Sequence, residues 1–256
     1  MCTVVLSVEG EGRLWVAANR DEALVRPATG PRRWPNEAFV APRDEIGRGT
    51  WLGLNAQGLF VGITNRFGAP KDEQRESRGH LVVEALRAAS AAALHATLGS
   101  LKPTRFNAFH LVYSDGVDCF VTWSDGVAIA QEQLGRGLHV VTERSYGAVP
   151  MLRTGGSLAR EPERVRFIRA RLDELGARPA AESLQKLLGT HRPEAPLDGP
   201  CVHLPDFGYG TRSSLVLFKA PRVEDSDWRW AEGPPDRTPF VAQRFDTLLH
   251  PPGVAG

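Results

Sequence analysis

The second residue of the chain is a cysteine, and that position offers a route to catalysis open to few others. An initiator Met is commonly removed when the next residue is small, which would leave Cys2 with a free α-amine. Such an amine has an ordinary pKa of about 7.7–8 and a thiol about 8.5, so a proton passes between them with little imbalance near neutral pH. The thiol can then act as nucleophile and its own amine as base. The bland alternative is a small apolar residue opening an edge strand.

Three further segments carry chemistry-bearing side chains. Asn19-Arg20-Asp21-Glu22 ends a strand that starts apolar. A cation such as Arg20 lowers the pKa of a neighbouring thiol, and a carboxylate such as Asp21 orients an ammonium. Asn19 and Glu22 then flank a substrate. Read plainly, the same run is a solvated strand exit. Residues 47–65 are rich in glycine and contain Trp51, a core residue or a pocket wall, and Asn65, a turn amide or a donor to a developing oxyanion. Arg66 follows it on the substrate side. Tyr209-Gly210-Thr211-Arg212-Ser213-Ser214 opens an apolar strand. Its guanidinium and hydroxyls form either a carboxylate clamp or a capped strand start.

Cys201 and His203 alternate onto one strand face, as two metal ligands would. No third ligand is evident, so no metal is assigned. The arginines at 160, 164, 166, 169 and 171 read as the solvated face of a helix.

These residues need elements to position them. Residues 3–8 and 13–18 read as a hairpin around a Glu-Gly-Glu-Gly turn. A turn centred on Gly10 and Glu11 puts Val8 opposite Arg13 and Cys2 opposite Asn19. Residues 26–49 lack periodicity and read as an irregular loop, and residues 66–79 as another. A second hairpin spans 50–54 and 59–64. Residues 79–101 read as one or two helices, with Ser90 as the dividing N-cap. A meander of four strands follows at 106–113, 119–123, 127–131 and 138–142, with Ser-Asp-Gly turns between. Helices at 161–175 and 181–188 precede strands at 211–219, 227–231 and 240–245. Strands grouped as hairpins and meanders argue for an antiparallel α+β fold. No linker or repeat divides the chain, so 1–256 reads as a single domain.

Composition sets the class. The 256 residues are 42% hydrophobic and 24% charged, an ordinary soluble balance. Thirty-one basic against 30 acidic residues give a net charge of +1, which removes the usual electrostatic reason to bind nucleic acid or anionic membrane. Three cysteines exclude a disulfide scaffold and a four-cysteine zinc site. The start has no signal-peptide pattern and no apolar run long enough to span a bilayer, so the expected compartment is the reducing cytoplasm.

Together, Met1-Cys2-Thr3, Asn19-Arg20-Asp21-Glu22, Gly49-Thr50-Trp51-Leu52-Gly53 with Asn55 and Gly58, Thr64-Asn65 and the 209–214 segment resemble the NRDE family, which includes transport and Golgi organisation protein 2. The motifs run in order from residue 2 to residue 214. The resemblance implies a four-layer αββα sandwich of antiparallel sheets, similar to N-terminal nucleophile hydrolases such as penicillin V acylases and bile salt hydrolases. It implies Cys2 as nucleophile, with Arg20, Asp21, Asn65 and Arg212 as catalytic residues. Asn19, Glu22, Trp51, Arg66, Tyr209, Thr211 and Ser213 fall on the substrate side. Those enzymes carry an Asn after a mid-chain strand where this sequence has Glu143, a carboxylate that cannot donate to an oxyanion while ionised. The implied partner is a small-molecule amide, and no resident cofactor is expected. A carrier for haem or an acyl-CoA-like amphiphile is the second reading.

Overall fold

The computed structural model describes residues 2–146 and 162–250. The retention of Met1, and the helix positions at Arg160 and Glu161, lie outside those residues. The first hairpin is β1 (Cys2–Gly10) and β2 (Arg13–Ala23). Then come β3 (Ala28–Arg33), β4 (Phe39–Asp44), β5 (Leu52–Asn55), β6 (Phe60–Asn65), and helices α1 (Arg78–Ala85) and α2 (Ala91–Leu98). Strands β7 (Phe109–Ser114), β8 (Cys119–Ser124), β9 (Ile129–Leu134) and β10 (Gly137–Thr142) lead to α3 (Glu163–Leu175) and α4 (Ala181–Leu188). The chain finishes with β11 (His203–Leu204), β12 (Tyr209–Lys219), β13 (Asp227–Ala231), β14 (Val241–Arg244) and α5 (Phe245–Leu249).

The strands form two antiparallel sheets. One runs β10-β1-β2-β12-β13-β14, with β11 added on β12, and the other runs β3 through β9 in sequence order. Alternation along β1 explains the layering. Val4, Leu6 and Val8 point into the core shared with the second sheet, whereas Val5 packs with Trp15 and Ala17 against Val165, Ile168 and Leu172 of α3 and Leu184 and Leu188 of α4. Helices α1 and α2 pack on the second sheet through β6 and β8. The result is the expected four-layer αββα sandwich of antiparallel sheets. Each fully buried Val, Leu or Phe contributes about 1.5–3 kcal/mol, so these two apolar seams hold the layers together.

Two expectations are corrected and a third is resolved. Residues 26–49 are not an irregular loop: they hold β3 and β4, whose Pro- and Arg-rich edge lacks a clean alternation because β3 is only half covered. The four-strand meander stops at β9, and β10 crosses to pair with β1 in the other sheet. Residues 79–101 resolve into two helices, and Ser90 does cap the second, its hydroxyl accepting from Ala93 N–H at 3.1 Å.

The hairpin register also differs. Glu11 (φ 53°) and Gly12 (φ 75°) are the central turn residues, one position later than expected, as a two-residue turn with positive φ at both positions requires. A bulge between Val8 and Gly10 then shifts the ladder back by one. Val8 therefore faces Leu14, Thr3 faces Asn19, and Cys2 faces Arg20.

The ends of the two sheets meet at this turn. Gly12 N–H donates to Gly116 carbonyl at 3.2 Å. A Cβ on Gly116 would lie 2.4 Å from the Gly12 carbonyl carbon, so no side chain fits. The buried Lys219 ammonium donates to the carbonyls of Gly12 (2.6 Å) and Asp115 (2.8 Å).

Candidate active site at the head of the first strand

At the opposite end of the sheets lies a cavity of about 540 Å³. Cys2, Arg20, Asp21 and Glu22 form its floor from the first sheet, and Trp51, Ile63 and Asn65 face them from the second. The register explains this meeting. Directly paired residues of an antiparallel ladder share a face, so Cys2 and Arg20 point to one side. Asn65 ends β6, a strand that neighbours β1 across the core.

The charges around Cys2 are fixed by pairing. Arg20 donates to Asp44 Oδ2 at 3.1 Å, and its guanidinium lies 4.3 Å from the Trp51 ring centroid. Asp44 also accepts from Arg26 Nε at 2.7 Å. Burial alone would raise the Asp44 carboxyl, but hydrogen bonds from Arg26 and the Gly47 N–H hold it below the usual carboxylate range. Burial pushes the Cys2 thiol up, with Asp21 and Glu22 acting in the same sense and the N-terminal ammonium and Arg20 against it. The thiol is therefore protonated at neutral pH and needs a base.

Asp21 is held from behind by a buried network. Its Oδ2 accepts from Arg164 Nη2 at 2.7 Å and its Oδ1 from Thr211 Oγ1 at 2.7 Å, while Tyr209 donates its hydroxyl to the Asp21 carbonyl at 2.8 Å. Arg164 also pairs with Glu143 Oε2 at 3.5 Å and donates to the Pro200 carbonyl at 3.2 Å. The expectation that Arg164 is solvated is thus overturned: it is 1% exposed and lies between two buried carboxylates. Glu143 turns to this arginine and is absent from the cavity wall.

The sequence-derived residues divide into two groups. Cys2, Arg20, Asp21, Glu22, Trp51 and Asn65 meet at the cavity. Asn19, Thr211, Ser213, Tyr209, Arg66 and Arg212 do not line it. Asn19 projects to the other face of β2, where it donates to the carbonyls of Leu188 (3.0 Å) and Pro200 (2.8 Å) and accepts from Ser214 Oγ (2.6 Å). Thr211 and Tyr209 brace Asp21, and the buried Ser213 hydroxyl has no hydrogen-bond partner among the described residues. Arg66 donates instead to the Tyr146 carbonyl at 3.0 Å. Arg212 is the extra residue where the β12–β2 ladder shifts between Thr211 and Ser213, and it does not line the cavity.

Sequence reasoning missed Asp44, Arg26 and Arg78. Arg78 opens α1, lines the cavity and hydrogen-bonds the Ala108 carbonyl at 2.8 Å. Burial lowers its pKa, an effect that nearby acidic groups such as Glu22 offset only in part. A contact with no side-chain room places it: a Cβ on Gly49 would lie 2.4 Å from the Gly79 carbonyl carbon, so the Gly49-Thr50-Trp51 segment can dock directly on the start of α1. That pair of glycines was the available signal.

Next to Asn65, Thr64 faces His110 across β6 and β7. Thr64 Oγ1 donates to the Thr142 carbonyl (3.2 Å) and so accepts from His110 Nδ1 (3.0 Å). Burial, aided by the Arg66 charge, lowers the His110 pKa to about 3. The folded protein keeps this ring neutral, whereas the unfolded chain protonates it near the ordinary 6.5. Stability from this residue is complete above pH 6.5 and falls by about 1.4 kcal/mol per unit as pH drops toward 3. Urea unfolding at pH 7, 6 and 5 is expected to show a shallower pH slope in His110→Gln than in the native sequence. Equal slopes would refute the assignment.

The comparisons with known proteins agree with this architecture. No curated protein matches the sequence. Among solved structures, the fold is similar to that of the Caenorhabditis elegans N-acylethanolamine-hydrolyzing acid amidase (NAAA) ortholog, with a TM-score of 0.58 and 14% identity over 88% of this chain and 94% of that one. It is also similar to a variant of conjugated bile acid hydrolase from Clostridium perfringens, with a TM-score of 0.56 and 10% identity over 96% of this chain and 93% of that one. The fold is that of the N-terminal nucleophile hydrolases. No helix among the described residues is long and apolar enough to cross a membrane. The Transport and Golgi organisation 2 family model matches residues 1–222, and the chain belongs to that family.

Proposed function

We propose that the protein is a cysteine N-terminal nucleophile hydrolase that cleaves a carbon–nitrogen amide bond or transfers its acyl group. The observation that carries this reading is Cys2 on the cavity floor, opposite Arg20 and beside Asp21. Amide-cleaving activity in the name of the similar amidase adds support at the level of reaction class.

In this mechanism Met1 is removed, and the Cys2 α-amine takes the thiol proton as sulfur attacks the amide carbonyl. Asp21, fixed by Arg164 and Thr211, orients the resulting ammonium. Asn65 and a backbone N–H meet the oxyanion, since Glu143 is committed to Arg164 and cannot. The ammonium proton passes to the departing amine as the C–N bond breaks, leaving an acyl thioester on Cys2. Water, or an acceptor nucleophile, then releases the acyl group. Arg78 suits a substrate carboxylate, because its hydrogen bond is to a neutral carbonyl and its charge faces the cavity.

The charged lining favours a small polar amide. A haem or a lipid chain would find little apolar wall there, which ranks the carrier reading second. All three cysteines are free thiols, in keeping with a reducing, cytoplasmic setting.

Intact-mass spectrometry tests the proposal. The purified protein is expected to lack Met1 and, when quenched during turnover of an acyl-amide panel, to carry the acyl group on Cys2. Full retention of Met1 in the cell would exclude the amine-base mechanism. Stoichiometric haem binding that survives Cys2→Ala, with no amide turnover, would favour the carrier.

A further inference from the structure

We propose that Cys201, His203 and Asp236 form a binding site for a divalent first-row transition ion, with zinc the best match. The sequence places Cys201 and His203 on one strand face, and the fold supplies the third donor from the loop after β13. Cys201 Sγ lies 3.5 Å from His203 Nε2 and 3.4 Å from Asp236 Oδ1, and His203 Nε2 lies 3.0 Å from Asp236 Oδ2. One ligand atom from each residue falls within 4.8 Å of the others.

These separations suit a metal. With zinc–sulfur bonds of about 2.3 Å and zinc–nitrogen or –oxygen bonds of about 2.0–2.1 Å, tetrahedral donors stand roughly 3.3–3.6 Å apart. The sulfur–nitrogen separation already matches, and the two Asp236 oxygens stand 3.4 Å from the sulfur and 3.0 Å from the nitrogen, so binding requires loss of the thiol proton and a small turn of the carboxylate. A thiolate with an imidazole selects zinc or cobalt over magnesium or calcium. Three protein ligands leave a fourth position for water.

The competing reading is a second Cys-His-Asp nucleophile. That chemistry needs the thiol on one imidazole nitrogen and the carboxylate on the other. Here both meet the same nitrogen, Nε2, so the ring cannot relay a proton between them. Access is adequate: Cys201 is buried, but the side chains of His203 and Asp236 are 16% and 23% exposed. The surroundings resemble an outer shell. Arg237 Nε lies 3.3 Å from Asp236 Oδ2, and the His191 ring stands edge-on to His203 with centroids 4.9 Å apart.

The site abuts the network behind Asp21. The Pro200 carbonyl accepts from Asn19 and Arg164, and Val202 N–H donates to Thr211 Oγ1 at 2.8 Å. An ion on Cys201 and His203 would therefore clamp the segment that holds Asp21 in place.

Cobalt(II) and zinc titrations of the full chain test this. One equivalent of cobalt is expected to give a thiolate-to-metal charge-transfer band that persists in Cys2→Ala and disappears in Cys201→Ser and Asp236→Asn. Zinc is expected to displace the cobalt band and to raise Tm in the native sequence but not in His203→Gln, a variant at a partly exposed position that does not depend on replacing the buried cysteine. A cobalt complex without thiolate charge transfer, a band that survives Cys201→Ser, or a band lost in Cys2→Ala overturns the proposal. So does an unchanged Tm of the native sequence under saturating zinc.

Discussion

Cys2→Ala is expected to lower kcat/KM toward amide substrates by at least about 10³-fold with circular dichroism and Tm little changed. The first residue of β1 is only partly buried and contributes no core packing, so the loss is chemical. Cys2→Ser is expected to recover little. Burial already raises the thiol above its ordinary range, and a hydroxyl is a far weaker acid still. Because the nucleophile is protonated at neutral pH, the rate should rise with pH as the α-amine loses its proton, near about 7.7–8 for an unperturbed amine. Steady-state kinetics across pH 6–9 provide the check. Amide turnover undiminished in Cys2→Ala would remove the nucleophile from the mechanism.

The second large effect is on stability. Arg164→Met is expected to destabilise the fold by about 3–5 kcal/mol, because it removes the buried guanidinium that two buried carboxylates share. Arg164→Lys should restore only part of this. A single ammonium cannot match a planar fork that reaches Asp21, Glu143 and the Pro200 carbonyl together. Combining Arg164→Met with Glu143→Gln should recover a portion, since Glu143, left with only the partly exposed Arg144 as a counter-charge, then loses its own charge. Equilibrium urea unfolding of the variants measures these differences. An Arg164→Met protein within about 1 kcal/mol of the parent would show that water or rearrangement satisfies the carboxylates.

What could be read from the sequence follows from how local each signal is. The order of strands and helices, the Ser90 cap and the choice of Cys2, Arg20, Asp21 and Asn65 as candidates rest on short-range pattern and on motifs, and these four residues do meet at one cavity. The register failed by one because the turn is centred one residue later than expected, a displacement that the bulge between Val8 and Gly10 only half reverses, and the uniformly buried run of residues 3–8 signals neither. Strand β3 was hidden by its half-covered, arginine-bearing face, and β4 by a buried run at residues 39–42 that shows no alternation. Departure of β10 from the meander depends on its pairing with β1, more than 130 residues away, which no local window contains. Arg164 looked solvated because helical spacing places it among arginines. Only the fold brings Asp21 and Glu143 to it. Asp236 escaped notice for the same reason, lying 35 residues from Cys201.

The glycine contact at the far end of the sandwich bears on how the cavity can change size. Strand β1 runs from Cys2 at the cavity to Gly10 beside that contact, a span of roughly 25–30 Å. Gly12 and Gly116 touch backbone to backbone, and Lys219 ties both loops together, so the sheets cannot slide past one another there. The arrangement is that of a clothes-peg. A rotation at the glycines would be multiplied along the strands into a wider parting of Cys2 from Asn65. Gly116→Ala, which no side-chain room accommodates, is therefore expected to change the cavity at the opposite pole as well as the contact itself.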